Sequence, residues 1–243
     1  MSAVVRRGAL VHRTAGPWTP TIHRLLEHLH TRGVTWLPRP LGVDDRGREV
    51  LTFLPGTVPS YPLPPWVWTD AVLETAGRWL ALLHQAGADF DTRGAVWQLP
   101  AHEPADVVCL NDVAPYNMVF DDAGRLTGWI DVDTASPGPR VWDLAYLAYR
   151  LVPLTVAEDT GAGAPDLDGA RRRLARLCTA YGDVGDRVTV APEVVVPTAV
   201  TRLRELAAFA AERAAAGAQQ VQSHVQIYLD DALWIEEHRG RLA

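Results

Sequence analysis

Between residues 55 and 65 the chain places Pro55, Gly56, Pro59, Pro62, Pro64 and Pro65. No helix or central strand runs through such a stretch, because proline has no N–H to donate and its ring clashes with the preceding turn. The chain is thereby divided, and its two sides carry different periodicities. Upstream, Val4 to Arg7 and Leu10 to Arg13 are β-prone runs around Gly8 and predict a hairpin. Thr19 to Arg32 spaces Ile22, Leu25, Leu26 and Leu29 along one helical face, with Thr19 or Thr21 available as cap and Gly33 as terminator. Short strands are expected around Pro40 to Val43 and at Glu49 to Leu54, on either side of an Asp44-Asp45-Arg46-Gly47 turn.

Downstream the pattern turns helical. Ala71 to Ala86, Asp168 to Tyr181, Pro192 to Ala216 and Gln220 to Arg239 read as helices rich in alanine, leucine and arginine. Val107 to Ile130 is the strand-forming exception, broken by a turn at Asp121-Asp122-Ala123-Gly124. The expected class is α+β, with a small β-rich lobe over residues 1–57 and a mainly helical lobe over residues 58–243. Glu158 to Asp168, rich in glycine and acid, reads as a mobile loop able to cover a substrate.

A chain of 243 residues with 48% hydrophobic content can bury a full core. A net charge of -6 gives no concentrated basic surface, so nucleic acid is not an expected partner. No apolar run approaches twenty residues, and Met1 to Leu10 lacks a signal-peptide core, so no membrane partner is expected and a cytoplasmic location is. Cys109 and Cys178 are too few and too far apart for a metal knuckle or redox pair and read as buried thiols. The nine tryptophans, Trp66, Trp68, Trp79 and Trp142 among them, read as core and interlobe packing. His84, His224 and His238 read as structural, and Asp230, Asp231, Glu236 and Glu237 as a solvated helix face, with an acidic wall attracting a cationic acceptor as the alternative. All 23 basic residues are arginine, so any task that calls for lysine falls to arginine.

The chain's only two asparagines, Asn111 and Asn117, bracket Asp112 and run into the apolar Met118-Val119-Phe120. Nineteen residues after Asp112, the run Leu126 to Ile130 delivers Asp131. Transfer of a phosphoryl group to a hydroxyl needs a carboxylate near the acceptor and oxygen ligands for a divalent cation that neutralises the phosphates. Asp112 fits the first need, and Asn117 and Asp131 fit the second. Pro115 holds the loop between Asp112 and Asn117 out of helix.

These motifs resemble the aminoglycoside phosphotransferase family, relatives of choline kinases and more remotely of protein kinases. The family loop His-Gly-Asp-x-x-x-x-Asn is matched by Asn111-Asp112-Val113-Ala114-Pro115-Tyr116-Asn117, and its Ile-Asp-Trp by Ile130-Asp131-Val132. Asp143-Leu144-Ala145 matches a segment whose aspartate braces the catalytic loop, and Leu83-His84 lies on the preceding helix. Val50-Leu51-Thr52-Phe53-Leu54-Pro55-Gly56 is similar to the interlobe hinge. The resemblance implies a two-lobed protein-kinase-like fold that uses Mg2+ and ATP or GTP and takes a small-molecule hydroxyl acceptor. It assigns Asp112 as catalytic carboxylate and Asn117 and Asp131 as metal ligands. Leu51, Thr52, Phe53 and Leu54 would meet adenine, and Arg13 would stand in for the phosphate-binding lysine. It leaves the oligomeric state open.

The chain also departs from the family. Asn111 or Leu110 occupies the position of the catalytic-loop histidine. No G-x-G-x-x-G or Walker A sequence is present. Glu27 sits one turn past His23, the position where the helix glutamate is expected. A degenerate kinase fold kept as a binding or regulatory partner, or the same pocket reused without ATP, is an alternative. Ile130-Asp131-Val132-Asp133-Thr134 also fits the first motif of haloacid-dehalogenase-like phosphatases, with Asp131 as nucleophile, Asp133 as acid/base and Asp183 as a further metal ligand.

Overall fold

A computed structural model describes residues 4–155, 161 and 166–243. The N-terminal part is a four-stranded antiparallel sheet in the order β1-β2-β4-β3 with one helix against it. Strands β1 (Val5–Arg7) and β2 (Leu10–Thr14) form the expected hairpin, and β2 pairs antiparallel with β4 (Arg48–Thr52), with Arg13 directly opposite Glu49. Strand β3 (Pro40–Val43) pairs the other edge of β4. Helix α1 (Thr19–Thr31) buries Ile22, Leu25, Leu26 and Leu29 as its periodicity requires. Neither threonine caps it. Trp18 holds the cap position, while Thr19 Oγ1 accepts from Gly16 N at 2.9 Å and Thr21 Oγ1 from Val96 N at 2.9 Å. Strand β4 stops at Thr52, short of the expected Leu54, because Phe53 N turns to Ala9 O (2.8 Å) and Pro55 cannot continue a ladder.

The C-terminal part is helical: α2 (Asp70–Gly87), α3 (Arg140–Leu151), α4 (Leu167–Gly182), α5 (Pro192–Ala215) and α6 (Gln222–Leu242). Between α2 and α3 lie two small antiparallel pairs. One joins β5 (Val107–Cys109) to β8 (Ser136–Gly138), and the other joins β6 (Met118–Phe120) to β7 (Leu126–Trp129). Strand β8 reads Ser-Pro-Gly, a turn composition; it is a strand because β5 offers it a ladder. One large core cluster runs through both parts, from Leu25 and Leu29 on α1 to Leu80 on α2 and Leu147 on α3. The acidic segment of α6 is not uniformly solvated, since Asp231 is fully buried and accepts the Tyr149 hydroxyl at 2.7 Å. Among the described residues no helix is long and apolar enough to cross a membrane. The loop expected at Glu158 to Asp168 lies largely outside the described residues.

The two parts meet along a seam built from backbone and indole. Thr57 and Phe120 exchange backbone hydrogen bonds of 2.8 and 2.9 Å, and Trp129 N donates to Trp36 O at 3.0 Å. Trp36 stacks on Trp79 of α2 with ring centroids 4.7 Å apart, and Trp79 meets Trp129 edge-on. Two glycines make this approach possible. A Cβ on Gly56, whose φ is +140°, would lie 2.5 Å from Phe120 O, and one on Gly128 would lie 2.7 Å from Leu54 Cδ1 and 3.0 Å from Trp36 O. Gly56→Ala is expected to lower the unfolding free energy by about 2 kcal/mol or more, read as a lowered midpoint in urea, because strain and overpacking coincide there.

Candidate active site

The loop after β5 is held from below by one buried carboxylate. Asp143, in the first turn of α3, accepts from Leu110 N at 2.6 Å and Asn111 N at 2.8 Å. His84 Nε2 reaches Asp143 Oδ2 at 3.3 Å, and the other ring nitrogen contacts the Tyr181 hydroxyl at 2.8 Å. His84 and Asp143 are fully buried, so each pairing compensates a desolvated polar group. His84 is therefore structural, as its helical placement suggested.

Asn111 lies at φ +66°, a left-handed conformation that asparagine tolerates better than most residues. Its amide donates to Thr134 O and Ser136 Oγ, both at 2.8 Å, and Arg202 donates to its carbonyl. Asn111, and not the apolar Leu110, is thus the polar organiser at this point of the loop. Arg202 on α5 is buried and packs on Trp142 and Tyr146. Sequence reading missed it, because an arginine ninety-one positions from its partner leaves no local signal.

Held this way, Asp112 turns its carboxylate toward Tyr116 and Asn117. The Tyr116 hydroxyl donates to Asp112 Oδ1 at 2.6 Å, and Asn117 Nδ2 donates to Asp112 Oδ2 and to its carbonyl, both at 2.9 Å. Burial pushes the Tyr116 hydroxyl well above the usual phenol range, which keeps it a proton donor. With its nitrogen spent on Asp112, Asn117 keeps its side-chain oxygen for other partners. Asp131 is brought beside it by a backbone bond, Ile130 N to Asn117 O at 2.8 Å. Asp131 also sits at a left-handed φ of +60°, with a side chain 54% exposed. Non-glycine residues in this region cluster at functional sites. The oxygen set of Asn117 and Asp131 suits a small hard cation such as Mg2+.

Arg13 stands over this corner from β2. Its guanidinium reaches Asp131 Oδ1 at 2.7 Å and also pairs with Asp133 and Glu49. Burial alone would lower its pKa, yet Asp133, Glu49 and Asp131 together hold it above the ordinary arginine value. Burial likewise raises the Asp133 carboxyl, against the pull of Arg13. Glu49, fully shielded, is also met by His23 of α1 at 3.0 Å. The glutamate sought on the helix is therefore on a strand. Its signal was the alternation that sets Glu49 opposite Arg13, visible once β2 and β4 are paired.

At the hinge, Leu51 is buried in the sheet, while Thr52 N donates to Arg39 O (3.0 Å) and Phe53 N to Ala9 O (2.8 Å). Arg6 covers the Phe53 ring at 3.6 Å, and Leu54 packs on Gly128. The N–H groups of Thr52 and Phe53 are thus engaged within the sheet lobe. A cavity of about 580 Å³ opens beside Asp112, between the loop after β5 and α5, with Asn111, Tyr146 and Arg202 on its walls. The phosphatase-like alternative is not upheld. The strand before Asp131 belongs to an antiparallel pair and the following chain is helical, whereas that motif opens an alternating strand–helix domain. Asp131 and Asp133 share one arginine, and Asp183 caps α4.

A small antiparallel sheet over a helical lobe, with an acid-amide-acid loop set at their junction, is the architecture of kinase-like phosphotransferases. The sequence profile described as "Phosphotransferase enzyme family" matches residues 91–177. A trifolitoxin immunity protein of Rhizobium leguminosarum bv. trifolii is 31% identical over 191 residues, 74% of this chain and 70% of that protein. Among solved structures, a choline/ethanolamine kinase family protein of Mesorhizobium loti superposes with a TM-score of 0.69 at 17% identity, covering 99% of this chain and 87% of that one. APH(2″)-IIa in a ternary complex with streptomycin and ATP gives 0.55 at 12% identity, over 93% and 90%. The chain belongs to the phosphotransferase enzyme family, whose members include aminoglycoside phosphotransferases and small-molecule kinases.

Asp143→Asn replaces an acceptor of two N–H groups with an amide that competes as donor. Thermal unfolding should show a loss of about 2 kcal/mol or more, because buried donors on Leu110 and Asn111 are left unpaired.

Proposed function

We propose that the protein transfers the γ-phosphoryl group of ATP or GTP, in its magnesium complex, to a hydroxyl of a small molecule. The observation that carries this reading is the convergence at Asp112: a carboxylate held at both oxygens by Tyr116 and Asn117, open to a cavity of about 580 Å³, with Asp131 one backbone bond away. In this reading Asp112 orients the acceptor hydroxyl and accepts its proton at a carboxylate oxygen as the oxygen attacks phosphorus. Asn117 and Asp131 hold the cation, which when bound neutralises the phosphate charge. Arg13, tied to Asp131, is the positive group of the sheet lobe nearest the phosphates, and the hinge from Leu51 to Leu54 borders the adenine. ATP as donor is supported by the ternary complex of the structural relative. The name of the Rhizobium protein supports a toxin or other noxious compound as acceptor. We place the lobe boundary at residues 57 and 58, where the Thr57–Phe120 bridge crosses.

One observation favours a second reading, a binding protein without turnover: Arg13 closes on Asp131, the residue needed for the cation. Calorimetric titration with magnesium-ATP and magnesium-GTP separates the two. Micromolar to millimolar binding that disappears in Asp131→Asn fits phosphoryl transfer, and absence of binding to the native protein fits the alternative. Asp112→Asn should lower kcat by roughly a thousandfold or more with nucleotide affinity little changed, since general-base catalysis and orientation are removed together. Undiminished turnover in that variant would remove Asp112 from the mechanism.

A further inference from the structure

Next to the cavity at Asp112, and sharing Tyr116, His224 and Tyr228 with it, lies a second cavity of about 370 Å³. Its wall carries Arg150, the last basic residue of α3. The guanidinium is surrounded by phenol rings: Tyr61, Tyr116, Tyr146 and Tyr149 have centroids 5.8, 5.3, 5.3 and 5.0 Å from its central carbon. Nε donates to the Tyr146 hydroxyl at 3.2 Å and Nη2 to the Tyr116 hydroxyl at 3.3 Å. Nη1 makes no hydrogen bond, and Arg150 no ion pair, among the described residues.

A ring of aromatic faces is what a quaternary or alkyl ammonium ligand needs, and here an internal cation already fills it. The carboxylates nearby are otherwise engaged. Asp231 accepts from Tyr149 and Thr155, and Asp112 accepts from Tyr116 and Asn117. Glu205 and Glu212 stand at the exposed rim of the larger cavity, Glu205 bonded to His102. Arg202, one of two guanidinium groups lining the larger cavity with Arg213, spends two nitrogens on Asn111 and packs against the same Tyr146 ring as Arg150. Among the described residues lining the smaller cavity, Arg150 carries the charge without an ionic partner, and it lies one tyrosine hydroxyl away from Asp112.

We propose that the acceptor carries a carboxylate or another anionic group that Arg150 binds through Nη1, with its hydroxyl presented to Asp112. This rests on the phosphotransferase reading of the site. It assigns the acceptor to hydroxy acids or acid-bearing conjugates and excludes polycations and quaternary amines. The guanidinium fork matches a carboxylate in geometry as well as charge.

The test uses three probes that share one ring and one hydroxyl: 4-hydroxyphenylacetate, its neutral amide and tyramine. Calorimetric titration of the whole chain should rank the anion tightest, at least about tenfold over tyramine, as expected for a charge-assisted bond in a half-buried site. In Arg150→Gln that preference should vanish, and in Arg150→Lys the anion should stay ahead of the amine. If the glutamine variant fails to fold, the native ranking and the lysine variant decide. Equal or tighter binding of tyramine, no binding of the anion at millimolar concentration, or an undiminished preference in Arg150→Gln would each overturn the assignment. Turnover plays no part in these titrations. An anion preference without phosphoryl transfer would therefore count against the proposed reaction and leave the Arg150 assignment standing, while transfer to tyramine alone would do the reverse.

Discussion

The candidate site depends on the grip of Asp143 on two consecutive backbone N–H groups. A buried carboxylate is costly unless its lone pairs are used, and here Leu110, Asn111 and His84 use them. Because Asp143 lies in the first turn of α3, the same contact ties that helix to the end of β5. Fixing Leu110 and Asn111 fixes the left-handed turn that aims Asp112 outward. Asn117 then closes on Asp112, and the backbone bond from Ile130 to Asn117 sets Asp131 beside the pair.

The strand residue that faces this corner is an arginine, Arg13, in a chain without lysine. A lysine ammonium is a compact point charge, whereas a guanidinium offers a planar fork of donors. Arg13 accordingly contacts three carboxylates in different directions, from Glu49, Asp131 and Asp133. Glu49 comes from the neighbouring strand and not from the helix, yet α1 still reaches it through His23. The helix is linked to the cluster through an imidazole in place of its own carboxylate.

Most elements could be read from the sequence because they follow local rules. Ile22, Leu25, Leu26 and Leu29 bury one face of α1, and the glycine of the Asp121–Gly124 turn separates two strands that pair. Asp112, Asn117 and Asp131 stood out in the sequence through a combination, an acid and an amide five residues apart followed by an apolar strand, a glycine turn and a second strand ending at Asp131, and through the family resemblance that it carries. What escaped depends on distance along the chain. Glu49 gains meaning only through register with Arg13, and Arg202 reaches Asn111 from the opposite end of the fold. Ser136 to Gly138 has turn composition and is made a strand by its neighbour. Asp231 looked like surface because its helix carries acids all along it, whereas Tyr149 draws it inward. The threonine cap of α1 failed for a related reason: both hydroxyls were claimed by contacts outside the helix.

The two borders between the lobes differ in kind. One is apolar and interdigitated, with Trp36 on Trp79 and the Thr57–Phe120 exchange; the other is ionic, with Arg13 against Asp131 and Asp133. Dissolved electrolyte screens exposed charges most and leaves buried ion pairs and stacked indoles nearly untouched. Of the two ionic contacts only the one to Asp131, whose side chain is half-exposed, is open to that screening, whereas Arg13 and Asp133 are shielded.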